Sequence, residues 1–139
     1  MKGEFSQFIG RPYNFQNGPT TGSKEQNISD GLNCQFLVHL IYREFGLTLP
    51  FDMLSKEIFE NMELFENILS LERMRTLDVV VFGKQEEQDL KKLHLTIFTG
   101  ETNETGSPLL IHATSIEKQV SVWSLECSPP FLNIKEFML

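Results

Sequence analysis

The chain has 139 residues, 40% of them hydrophobic, which is the size and texture of a single compact domain over 1–139 that needs neither disulfides nor a structural metal to fold. Its formal net charge is -7 and no Lys/Arg cluster exceeds Lys91-Lys92, which excludes a surface that binds by neutralising phosphates, so nucleic acid is not an expected partner. No stretch approaches the ~20 apolar residues of a membrane span, and "MKGEFSQFIG" lacks the apolar run of a secretory signal, so a membrane is not expected and the cytoplasm is the expected compartment, with export by a non-classical route as the alternative.

From Gly10 to Gly31 the chain is dense in Gly, Pro, Asn, Thr and Ser, which supply turns and little periodic burial. The expectation is a long loop, and loops of that length inside a compact domain tend to be functional. Phe36, Leu37, Leu40, Ile41 and Phe45 then recur on one helical face, with Asn33 or Asp30 able to cap the start and Gly46 to stop the end. This predicts a helix at about 33 to 45. Further amphipathic, glutamate-rich stretches predict helices from about Asp52 to Met62 and from Leu64 to Met74, with the glutamates on a solvated face.

After Arg75 the pattern changes to short β-branched and aromatic runs: "LDVVVFG" (77 to 83), "HLTIFTG" (94 to 100), "PLLIHAT" (108 to 114) and "QVSVWSL" (119 to 125). These predict an antiparallel meander behind a helix-rich first half, hence an α+β fold, with the tail "SPPFLNIKEFML" adding a short element. Trp123 and the phenylalanines read as core. Asp78 fits a strand-entry turn at least as well as a catalytic acid.

Chemistry centres on Cys34, at the predicted start of the first long helix. A thiol becomes a nucleophile when it loses its proton, and a helix N-terminus favours that loss by presenting unpaired N–H groups and the positive end of the dipole. The same position also suits a small buried apolar residue. His94 opens one strand and His112 lies near the end of the next, so antiparallel pairing can bring the two rings together as a base and its orienter. His39 lies about 140° round the helix from Cys34 and is left outside the site. A zinc site from Cys34, His94 and His112 is the weaker alternative, because no two of them show the short paired spacing of structural zinc ligands. Cys127 has no helix or histidine near it in sequence and reads as structural.

In order and spacing these segments resemble the NlpC-type family of papain-like cysteine peptidases, γ-D-glutamyl peptidases that cut cell-wall stem peptides. "IGRPYNF" is similar to the family's opening Gly-x-Pro-Tyr, and "NCQFLVHLIYREFGLTLP" to its Asp-Cys-Ser-Gly-Leu-Val helix with the Leu-Pro exit. "LDVVVFG", "HLTIFTGE" and "LLIHATS" are similar to its Gly-Asp-Leu-Val-Phe-Phe, His-Val-Gly-Ile-Tyr-x-Gly and Met-Ile-His-Ala strands. The resemblance implies a papain-like fold, with N-terminal helices packed on an antiparallel sheet of four to six strands. It implies Cys34 as nucleophile, His94 as base, His112 as the orienting residue, and Tyr13 as a hydrogen-bond donor to substrate or oxyanion beside the Cys34 backbone N–H. It implies no metal and no organic cofactor, and a peptide substrate of the peptidoglycan type.

Departures surround the cysteine. Asn33 replaces the family's Asp, and Gln35-Phe36 its Ser-Gly, at positions that help form the pocket for the substrate's free amine and D-glutamyl group. Leu77 and Thr96 each replace a glycine. Asn33 and Gln35 therefore belong to the expected substrate pocket, and they question the usual substrate before they question the nucleophile. A binding or assembly module with redirected chemistry, or a Cys-dependent acyltransferase, are the competing functions. The absence of wall-binding repeats also fits a phage-associated or accessory protein.

Overall fold

A computed structural model describes residues 1–14, 31–50, 55–83, 93–128 and 130–138. A short helix α1 (Gly3–Ser6) precedes α2 (Cys34–Glu44) and α3 (Ser55–Glu60), followed by strands β1 (Phe65–Ile68), β2 (Val79–Phe82), β3 (His94–Thr102), β4 (Pro108–Thr114), β5 (Gln119–Ser124) and β6 (Phe131–Phe137). The six strands form one sheet in the order β1-β6-β2-β3-β4-β5, with every neighbouring pair antiparallel. Strands β2 to β5 are the expected meander, and the tail inserts as β6 between β1 and β2. Most of the predicted loop from Gly10 to Gly31, and the predicted helix start at Asp52, lie outside the described residues. Among the described residues no helix is long and apolar enough to cross a membrane.

Both sheet faces are apolar, which explains the unbroken run "VVVF". Val79, Val81, Leu95, Ile97, Ile111, Ala113 and Val120 join the helices in the larger core cluster, whereas Val80, Phe82, Phe98, Leu110 and Ile134 form a second cluster on the other face. Helix α2 packs across β3 and β4 through the first set. Its end follows the predicted stop: Gly46 takes a left-handed φ of 77°, its N–H donates to Arg43 O at 3.0 Å, and Leu47 N–H donates to Tyr42 O at 2.9 Å.

The helix predicted over Leu64 to Met74 is replaced by β1 and a 3₁₀ turn at Leu71–Arg73. The three-residue spacing of Phe65 and Ile68 mimics a helical face, but in a strand it sends the two side chains to opposite sides of the sheet. Phe65 enters the helix-side core and Ile68 the second cluster, opposite Phe137 and Ile134 of β6. Asn61 ends the preceding helix by accepting from the N–H groups of Glu63 and Leu64, at 2.9 and 2.6 Å.

Leu77, which stands where the resembled family has glycine, holds a φ of 81°. That region costs an ordinary residue about 1–2 kcal/mol, and tertiary bonds hold the residue there. Leu77 N–H donates to Phe98 O at 3.0 Å, and Leu77 O accepts from the buried Tyr42 hydroxyl at 2.7 Å. Thr96, at the other glycine position, is buried and donates through Oγ1 to Val80 O at 3.0 Å. Asp78 takes the turn role foreseen for it: its Oδ2 accepts from Arg75 N–H at 2.8 Å. Burial, assisted by the neighbouring Glu136 carboxylate and opposed by that bond, pushes its pKa up to about 7.

Candidate active site

The N-terminus of α2 is built by its own sequence. Asn33 is extended, and its buried Oδ1 accepts from Phe36 N–H at 2.8 Å, which satisfies one of the donors left open in the first turn. Cys34 is therefore the first helical residue, half-buried and not in a disulfide. Gln35 is buried. Asn33, expected to face substrate, has its side-chain oxygen committed to the helix cap.

The segment before the helix is tied to the edge of the sheet. Pro12 bridges Gln119 at the start of β5, and Tyr13 bridges Leu32 in parallel. Tyr13 N–H donates to Lys118 O at 3.0 Å, Leu32 N–H donates to Pro12 O at 2.9 Å, and Asn14 N–H donates to Leu32 O at 3.0 Å. Gly31 makes this possible, since it takes a φ of 96° and a Cβ there would press on Pro12 O and the Asn14 side chain. Tyr13 and Cys34 thus pack against the same core cluster. Burial first, and then the proximity of Cys34, raise the Tyr13 pKa above its ordinary value. The phenol stays protonated and can donate a hydrogen bond.

His94 begins β3, at the same end of the sheet as the last residues of β4 and the first of β5. Alternation places His94 and His112 on one face, since Leu95, Ile97, Ile111 and Ala113 all turn to the helix-side core. The structure brings the two rings together: His94 Nε2 lies 2.7 Å from His112 Nδ1, with ring centroids 5.0 Å apart. One proton sits between them, and the second ring nitrogen of His94 is Nδ1. Burial pushes the His94 pKa down to about 4. Burial, then the neighbouring His94, push that of His112 down to about 3, and Glu117 opposes the shift. Both rings are neutral at pH 7.

Three residues around His112 escaped the sequence reading. The Trp123 ring stands against it in an edge contact, centroids 4.4 Å apart, so Trp123 is a half-exposed neighbour of the histidine pair and not the core residue expected. Ser121 is the β5 partner of His112. Glu117, in the β4–β5 turn, accepts from Trp123 Nε1–H at 2.9 Å and from the Ser121 hydroxyl. The alternation of "QVSVW" could have placed Ser121 and Trp123 on one face, but the turn that folds Glu117 back is a tertiary feature.

His39 is buried within α2. Cys127, read as structural, is an exposed free thiol in a 3₁₀ turn. Among the described residues no three His, Cys, Asp or Glu side chains gather as metal ligands.

No family model matches the chain, and no curated protein matches it in sequence. Solved structures do match it. One is a Staphylococcus aureus protein described as similar to lipoprotein, NLP/P60 family, at 17% identity and TM-score 0.66, covering 98% of this chain and 39% of that one. Another is the NlpC/p60 domain of the peptidoglycan hydrolase SagA, at 20% identity and TM-score 0.56, covering 92% of this chain and 90% of that one. A third is the peptidoglycan hydrolase RipB of Mycobacterium tuberculosis, at 14% identity and TM-score 0.62, covering 95% of this chain and 59% of that one. The chain spans less than two thirds of the first and third of these structures and nearly all of the SagA domain. At such identities the likeness speaks for the fold, and it agrees with the order of motifs along the sequence: the chain has the papain-like α+β fold of the NlpC/P60 domains.

Proposed function

We propose that this chain is a thiol hydrolase that cleaves an amide bond in peptides of the cell-wall type, with Cys34, His94 and His112 as its catalytic residues. The observation that carries the reading is the bond of 2.7 Å between His94 Nε2 and His112 Nδ1, at the end of the sheet to which the residues preceding Cys34 are tied. That bond leaves Nδ1 of His94 to take the thiol proton. Likeness to two peptidoglycan hydrolases supports the substrate class.

In this reading Cys34 begins as a thiol and His94 as a neutral base, as the lowered imidazole pKa requires. The helix N-terminus stabilises the thiolate as the proton passes to His94 Nδ1. The sulfur attacks the amide carbonyl, and the Cys34 backbone N–H with the Tyr13 hydroxyl donates to the developing oxyanion. His94 returns the proton to the leaving amine, the acyl-enzyme forms, and water activated by His94 releases it. Asn33 and Gln35 border the acyl side of the pocket in this reading: at 33 a neutral amide, its oxygen held by the helix cap, replaces the family's carboxylate, and at 35 an amide replaces its serine.

The test is hydrolysis of muropeptides and stem peptides by the parent chain and by Cys34→Ala. Loss of cleavage in the variant, with the fold retained, is expected. Equal cleavage by both removes Cys34 as nucleophile. A Cys34 thiol that alkylates with an unperturbed midpoint near ~8.5, in a chain that cleaves nothing, would identify a binding module on this fold.

A further inference from the structure

We propose that Glu117 is a positioning residue for the histidine pair: fixed by Ser121 and Trp123, its carboxylate supplies the negative charge that lets His112 and His94 hold a proton during turnover. The inference deepens the proposed function and rests on that reading for its catalytic consequence.

The geometry carries it. His112 is held from three sides, by the His94 ring on β3, by the Trp123 ring on β5, and by the strand partner Ser121. Its Nδ1 faces His94, and its Nε2 is buried with no hydrogen-bond partner among the described residues. A buried ring nitrogen in that state is costly, and the bond at Nδ1 is the one that sets the ring's tautomer. Glu117 is exposed, but the carboxylate is not loose. Trp123 Nε1–H and the Ser121 hydroxyl each hold one of its oxygens, and these donors are the two β5 residues that flank His112.

The titratable groups facing the pair are few. Among the described residues each histidine faces the other across β3 and β4, and the β4–β5 turn contributes Glu117. Glu117 attracts a proton to His112, whereas burial and the second ring repel one.

The proton balance is simple. When Cys34 gives its proton to His94 Nδ1, the ring already carries one on Nε2, which it donates to His112 Nδ1. The resulting positive charge is shared along that bond and stabilised by Glu117 at the far end. The neutral His112 that accepts at Nδ1 carries its own proton on Nε2. No proton reaches Glu117, so the carboxylate acts through field and orientation alone.

Glu117→Gln is the direct test, since the amide keeps an acceptor oxygen for Trp123 and removes the charge. Ring 15N shifts in the parent and variant should show the His112 titration displaced to lower pH, and the displacement should persist in Glu117→Gln combined with Cys34→Ala. Turnover should fall about tenfold in kcat with KM little changed, as expected for an interaction that grows with charge in the transition state, and Glu117→Asp should recover part of it. Trp123→Phe, which keeps the ring contact and deletes the N–H that holds Glu117, should shift the titration the same way by a smaller amount. An unchanged His112 titration in Glu117→Gln overturns the inference whether or not the parent hydrolyses peptides. A displaced titration in a parent that cleaves nothing leaves the role of Glu117 standing and sinks the proposed function instead.

Discussion

His94 and His112 share one proton across 2.7 Å between Nε2 and Nδ1, and the bond exists because β3 and β4 run antiparallel with Ile97 opposite Ile111. That register sets the two histidines diagonally on one face. Any slip by one residue would send one ring into the helix-side core.

Removing members of this arrangement should give graded losses. Cys34→Ala and His94→Ala are expected to lower kcat/KM on a cleaved peptide by at least ~10³-fold. His112→Asn, which can still accept from His94 Nε2–H, should lose only about 10–100-fold, and His112→Ala more. Steady-state kinetics on one stem peptide would rank them, and equal losses for Asn and Ala at 112 would deny the orienting role.

The two imidazoles should weaken the fold in acid. Their folded pKa values of about 4 and about 3 lie below the unfolded 6.5, so the unfolded chain binds more protons as pH falls, and stability drops from about pH 6.5 downward until the folded values are passed. Together they cost on the order of 6 kcal/mol at pH 4. Urea midpoints of the parent and His112→Asn, compared at pH 7 and pH 5, should show a smaller acid loss in the variant.

Asp78 works in the opposite direction. Its folded pKa of about 7 exceeds the unfolded 3.8, so the folded chain binds the extra proton and stability rises as pH falls through that window. Asp78→Asn keeps an acceptor for Arg75 N–H and can donate to Glu136, whose Oε2 is buried without a hydrogen bond among the described residues. The variant should be more stable than the parent by ~1–2 kcal/mol at pH 8 and no more stable at pH 4. Paired denaturation curves at the two pH values check the crossover.

Two backbone positions give opposite signs. Lys118 is exposed in the β4–β5 turn with a φ of 60°, so Lys118→Gly should raise stability by about 0.5–1 kcal/mol. Gly100 has a φ of 85°, and a Cβ there would run into Thr76 Oγ1, so Gly100→Ala should cost roughly 2–3 kcal/mol. Thr76→Ala should recover only part of that loss, because the backbone strain remains. Thermal melts of the three variants and the double variant separate the two terms.

Local signals were strong wherever one residue type had one physical use. The apolar period of α2, the Asn33 cap and the Gly46 stop fixed that helix, and the β-branched and aromatic runs after Arg75 fixed four strands, because such side chains suit a pleated strand whatever lies across from it. The order of the motifs was enough to point to a papain-like domain. The stretch at Leu64–Met74 was misread because Phe65 and Ile68 serve two cores on opposite sides of the sheet, and only the pairing with β6 reveals that. Tertiary structure alone decided what surrounds each candidate residue. It held Leu77 in a glycine conformation through Tyr42 and Phe98, and folded Glu117 and Trp123 against His112. These relations join residues distant in sequence or separated by a turn, where strand register and burial set the chemistry and residue spacing carries no trace of either.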